Sequence, residues 1–145
     1  MDTSYEMDLL AWARVQVALL RSGQLSLIDI EHIAQEIEAV GKSEQRELAS
    51  RLSVLLMHLL KWRLQPGRRR ANWRRTLDER RKSIARQLAR TPSLGGLPGD
   101  PDWDEGIWSD ALVGAIHADE PALEDLPASC PWTMDHILSR DFYPG

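Results

Sequence analysis

Apolar residues recur along the chain at spacings of three and four, and no stretch alternates with period two. That pattern predicts helices and no strands. Leu9, Ala13, Gln16 and Leu20 share one face of a first helix over about 3–22, with Thr3 or Ser4 as its cap and Arg21, Ser22 and Gly23 as its stop. Leu27, Ile30, Ile33, Ala34, Ile37 and Val40 mark a second helix starting near Ser26. Gly41 is either a break or a kink there, because a glycine inside a helix costs only about 1 kcal/mol. Ser43 can cap a third helix over about 43–64. Its second half is apolar almost all round, as in a helix buried in the middle of a bundle. Pro66 and Gly67 end it.

A fourth helix is expected over about 70–90, with Trp73, Leu77, Arg80, Ile84 and Leu88 on one face. Arg80 then sits in an apolar stripe and must snorkel out of it or meet a carboxylate. The stretch 91–99 is rich in Pro and Gly and reads as a linker. A fifth helix over about 101–118 has Asp100 as its cap and Pro101 in its first turn. A short sixth helix opens at Pro131 behind Ser129 or Cys130, and Asp141-Phe142-Tyr143-Pro144 reads as a packed apolar end. The expected fold is therefore all-α: a single-domain bundle over 1–145 with five to six helices and a buried central helix at about 43–64.

Length and composition agree with this reading. A chain of 145 residues is one domain's worth and can bury a sizeable core. One cysteine cannot form an internal disulfide, the start has no signal-peptide pattern, and no apolar run reaches the roughly 18–20 residues of a membrane span. A cytoplasmic location, away from any membrane, is expected by elimination. The formal charge of −4 conceals an asymmetry. Residues 61–90 carry twelve bases against two acids, and 91–145 carry eleven acids against one base. Either these blocks neutralise one another within the fold or across a dimer, or the basic face is kept for an anionic partner.

Three polar groups could carry chemistry. At about 100° per residue, Glu47, Arg51, His58 and Lys61 gather in one sector of the third helix. Glu47 and Arg51 form an i,i+4 ion pair in the structural reading, and His58 is a buried histidine held by a carbonyl or carboxylate. In the catalytic reading, Arg51 stabilises a phosphorane charge and His58 moves protons. The spacing from Arg51 to His58 resembles the Arg-x6-His motif of HEPN-type all-α ribonucleases, although Leu52 stands where that motif has a polar residue. The second group is Glu36, Glu38, His32 and His58. Glu36 and Glu38 lie about 200° apart on one helix and cannot face one ion. No metal or cofactor is therefore expected, and one of these glutamates is expected to partner Arg80 or Lys61. The third group is the basic block, where Arg68, Arg69, Arg70, Arg74 and Arg75 could bind anions such as nucleic-acid phosphates. The acidic balance of the whole chain argues against that use. Cys130 lies beside an expected helix start, which can lower a thiol pKa, although an N-cap position gives it a structural role.

The strings at 35–44 (Gln-Glu-Ile-Glu-Ala-Val-Gly-Lys-Ser-Glu) and 55–62 (Leu-Leu-Met-His-Leu-Leu-Lys-Trp) resemble the domain of unknown function 29 family. Gln65-Pro66, Asn72-Trp73-Arg74, Pro92-Ser93-Leu94, Cys130-Pro131-Trp132 and Asp141-Phe142-Tyr143-Pro144 extend the likeness over nearly the whole chain. The resemblance implies an all-α fold and no established activity. The expected function is a small interaction or accessory module without catalysis, acting on a protein partner or on a second copy of itself. The alternatives are a metal-independent ribonuclease using Arg51 and His58, or a nucleic-acid binder using 61–90.

Overall fold

The first helix, α1, runs over Leu9–Arg21 in the computed structural model. This structure describes residues 3–69, 71–119 and 126–144, without the side chains of 68 and 117–119. Asp8, and not Thr3 or Ser4, caps α1, its carboxylate accepting the Ala11 N–H at 3.0 Å. The preceding residues form a separate turn, closed by the Asp8 N–H on the Ser4 carbonyl. At the far end the Gln24 N–H reaches the Leu19 carbonyl and the Gly23 N–H reaches Leu20. Gly23 takes φ +74, the left-handed conformation that this C-terminal motif requires.

Leu25–Leu27 form a 3-10 turn, so Ser26 does not start the second helix. Asp29 does, through its carboxylate on the His32 N–H at 3.3 Å. The helix that follows, α2, spans Ile30–Leu64 without interruption. Gly41 therefore neither breaks nor caps anything, and Ser43 lies inside the helix. The residues around Gly41 are all able to continue a helix, and one interior glycine is too small a penalty to stop it.

α3 spans Ala71–Arg90, α4 spans Pro101–Asp119 and α5 spans Met134–Leu138. The described residues thus hold five helices, are all-α and contain no strand. Asp100 caps α4, accepting the N–H groups of Asp102 and Trp103, with Pro101 in the first turn. α5 is shorter than its sequence suggests: Thr133 caps it and Pro131 stays outside. A threonine hydroxyl can accept the His136 N–H, a bond that fixes the start at Met134, three residues beyond the proline. No helix among the described residues is long and apolar enough to cross a membrane.

Contacts divide the chain into two compact units, Met1–Glu44 and Gln45–Gly145. In the second unit the expected buried central helix is present as the C-terminal half of α2. Leu48, Leu52, Leu55, Leu56, Leu59 and Leu60 are all at most 1% exposed. Leu77 and Ile84 of α3, Ile107, Trp108, Ala111 and Ala115 of α4, and Ile137 of α5 close over them. Six fully buried leucines at about 2 kcal/mol each make this row the main apolar contribution to the unit.

α3 corrects one expectation by a single residue. Arg80 is exposed and Arg81 is 2% exposed. Measured from Leu77, the two positions lie about 60° to one side and about 40° to the other, so both flank the apolar row and periodicity alone does not choose between them. The Arg81 charge is met by carbonyls: Nε donates to Ile137 O at 2.8 Å, and a terminal nitrogen donates to Phe142 O at 2.7 Å. Burial pushes the Arg81 pKa below its ordinary value, with Tyr143, Asp78 and Asp141 opposing that shift.

Candidate functional site

Helical periodicity gives the first unit two apolar rows, one on α1 and one on the first turns of α2. Much of both rows is uncovered. Among the described residues, eleven of the twelve exposed large hydrophobic side chains belong to residues 1–44, Val113 being the other. Ile30, Ile37 and Val40 are 66–70% exposed, and Leu10 is 61% exposed. Between the rows lies an open groove of about 250 Å³, walled by Trp12, Ala13, Gln16, Val17, Leu20, Ile33, Glu36, Ile37 and Val40. Isolated exposed apolar residues are ordinary, but here several of them line one groove.

Arg14 and Arg21 on α1 and Glu31 and Glu38 on α2 are all exposed. At 100° per residue, Glu31 and Glu38 lie about 140–180° from Ile33 and Val40, on the side of α2 away from the groove.

Beside the groove lies a polar network that the sequence reading assembled only in part. The Asp29 carboxylate is the hub. It accepts Trp12 Nε1–H at 2.9 Å and lies 2.6 Å from His32 Nδ1. Its backbone N–H donates to Gln16 Oε1 at 2.8 Å. His32 Nε2 lies 3.3 Å from Glu6, and Tyr5 stacks on the His32 ring with centroids 4.1 Å apart. The hydrogen bond to Asp29 raises the His32 pKa and lowers that of Asp29. Tyr5 donates its hydroxyl to Glu36 Oε1 at 2.6 Å, which raises the tyrosine's pKa. Glu36 therefore partners Tyr5, not Arg80 or Lys61, and Glu38 is exposed. Two signals pointed to this network: Asp29 precedes His32 by one turn at a helix start, and Tyr5 precedes Trp12 by seven residues.

In the second unit, Glu47 and Arg51 form the expected ion pair at 2.6 Å. Arg51 also donates to Gln87 Oε1 at 2.8 Å. His58 Nδ1 lies 2.8 Å from the Val54 carbonyl. His58 and Lys61 line a cavity of about 200 Å³ with Trp62, Asn72, Trp73, Thr76 and Leu77. Arg51 is not among the residues of that wall.

The basic block contacts the end of the chain. Arg69 donates Nε–H to Trp62 O at 2.7 Å, lies over the Trp62 ring at 4.9 Å, and reaches Pro144 O at 3.4 Å. Arg74 lies over the Tyr143 ring at 4.6 Å, and Arg63 over Trp132 at 6.0 Å. Arg75 is exposed, while Arg70 and the Arg68 side chain lie outside the described residues. For Arg69, Arg74 and Arg81, the contacts at the tail are thus carbonyl oxygens and an aromatic face. Within α3 itself, Lys82 pairs with Asp78 at 3.0 Å.

Cys130 donates its thiol to Trp132 O at 3.2 Å, and burial raises its pKa, the reverse of the activation that a helix N-terminus would give. The described residues contain no group of three or more His, Cys, Asp or Glu side chains placed to hold a metal ion.

No match was found among curated proteins, and none among solved structures. A family model does match: the family described as domain of unknown function DUF29 covers residues 4–143, nearly the whole chain, and the chain belongs to it.

Proposed function

We propose that the protein is a cytoplasmic helical interaction module, without catalysis, that pairs with a second copy of itself through the groove of residues 1–44. The observation that carries this reading is the concentration of uncovered apolar side chains on that one unit. In a two-fold pair each patch meets its own duplicate, so a second copy covers an uncovered apolar groove with a groove of the same kind. The non-catalytic part is supported by Arg51, whose guanidinium is engaged by Glu47 and Gln87. A lone, half-buried, carbonyl-bonded cysteine is compatible with a reducing compartment.

Light scattering coupled to gel filtration tests the reading. The wild-type chain is expected at twice its 16.5 kDa mass, and Ile37→Glu at the single mass. A wild-type monomer across the micromolar range overturns it.

A further inference from the structure

Three residues of the groove wall are bonded to the polar network beside it. Trp12 donates its indole N–H to Asp29 at 2.9 Å, the Gln16 amide oxygen accepts the Asp29 N–H at 2.8 Å, and Glu36 accepts the Tyr5 hydroxyl at 2.6 Å. His32 touches both Asp29 and Tyr5 and so joins these bonds, all of them within the first unit. We propose that His32 is a pH-sensitive latch on the groove: its imidazolium holds the turn of residues 4–8 against the start of α2, and its deprotonation weakens self-association. This inference rests on the groove being the face through which two copies pair.

The geometry of the ring specifies the proton. His32 Nδ1 lies 2.6 Å from Asp29 Oδ2, and Nε2 lies 3.3 Å from Glu6 Oε1. An ionised carboxylate only accepts hydrogen bonds, so both contacts are favourable together only when both ring nitrogens carry hydrogen. The neutral ring keeps its hydrogen on the shorter contact, to Asp29, and turns a lone pair toward Glu6. Glu6 is then repelled, and with it Tyr5, its chain neighbour, which stacks on the ring with centroids 4.1 Å apart. Tyr5 is the donor that satisfies Glu36. Without that donor, the Glu36 carboxylate must be stripped of water when an apolar partner covers the groove. Among the described residues, the titratable groups facing His32 are Tyr5 and Glu6 from the turn and Asp29 and Glu31 from the start of α2, while α1 faces it with the Trp12 ring at 6.3 Å between centroids. The hydrogen bond to Asp29, with the charges of Asp29, Glu6 and Glu31, raises the His32 pKa above 6.5 against partial desolvation. The latch is therefore closed below 6.5 and opens as pH rises through the folded value.

Sedimentation equilibrium on the full chain, between about pH 5.5 and about pH 9, reads the dimer dissociation constant on both sides of the histidine range. Wild type is expected to pair most tightly at the acid end and to weaken by about fivefold or more as pH rises through the His32 midpoint. Glu6→Gln, at a side chain 68% exposed, should stay tight across the range, because its amide can donate to the neutral ring. His32→Gln has no proton to lose and should show no step with pH. A dimer whose affinity is flat with pH, or a step that survives in either variant, overturns the latch and leaves the groove standing. A wild-type chain that is monomeric at every pH overturns the groove reading and the latch with it.

Discussion

Arg81 donates its Nε hydrogen to the carbonyl of Ile137, 56 positions further along the chain, at 2.8 Å. A second nitrogen of the same side chain holds Phe142 O. Removing this guanidinium leaves two carbonyls without their donor. Arg81→Ala is therefore expected to destabilise the protein by roughly 2–4 kcal/mol. Arg80→Ala, one residue away and exposed, should stay within about 0.5 kcal/mol of wild type. Urea unfolding of both variants checks the contrast, and equal effects would refute the assignment of the buried arginine.

The His32–Asp29 contact makes the first unit sensitive to pH. His32 has its folded pKa above the ordinary 6.5, so its contribution is complete below 6.5 and fades as pH rises through the folded value. Asp29 has its folded pKa below the ordinary 3.8, so its contribution is complete above 3.8 and fades as pH falls through the folded value. Both contributions are present together between these two ordinary values. An NMR titration of the His32 ring should give a midpoint above 6.5, and Asp29→Asn should move it down.

Ile37→Glu, in the groove itself, should abolish the proposed dimer, whereas Val113→Glu, at the exposed apolar residue outside residues 1–44, should leave it intact. Sedimentation equilibrium on both variants would distinguish a dimer built through the groove from one built elsewhere.

Gly41 has no atom within 4 Å of the place where a Cβ would stand, and its backbone is helical. Gly41→Ala should therefore stabilise the chain by about 0.5–1 kcal/mol. A loss of stability on thermal unfolding would show that the helix needs the glycine.

Most of the helix content was legible in the sequence because period and turn chemistry agree along it. Asp100-Pro101 and the Gly23 stop are local signals, and each appears where it was expected. Boundaries failed where two local signals competed. Thr3, Ser4 and Asp8 can each cap a helix, and only tertiary contact from Tyr5 to Glu36 and His32 decides among them. Arg80 and Arg81 flank the same apolar row, and the choice depends on carbonyls far away in the chain. Periodicity located the apolar rows of residues 1–44 but could not show that they stay uncovered, since burial is a property of neighbours. The Glu47–Arg51 pair was legible because i,i+4 geometry is local. The His58 cavity was not, because half of its wall comes from α3.

The arginines that seat residues 142–144 also set an order of events during synthesis. Arg69 finds Pro144 O only after 75 further residues have been made. Until residues 137–144 have been made, Arg81 and Arg69 lack the carbonyl acceptors that hold them in the folded chain, so this part of the unit can close only once those residues are available.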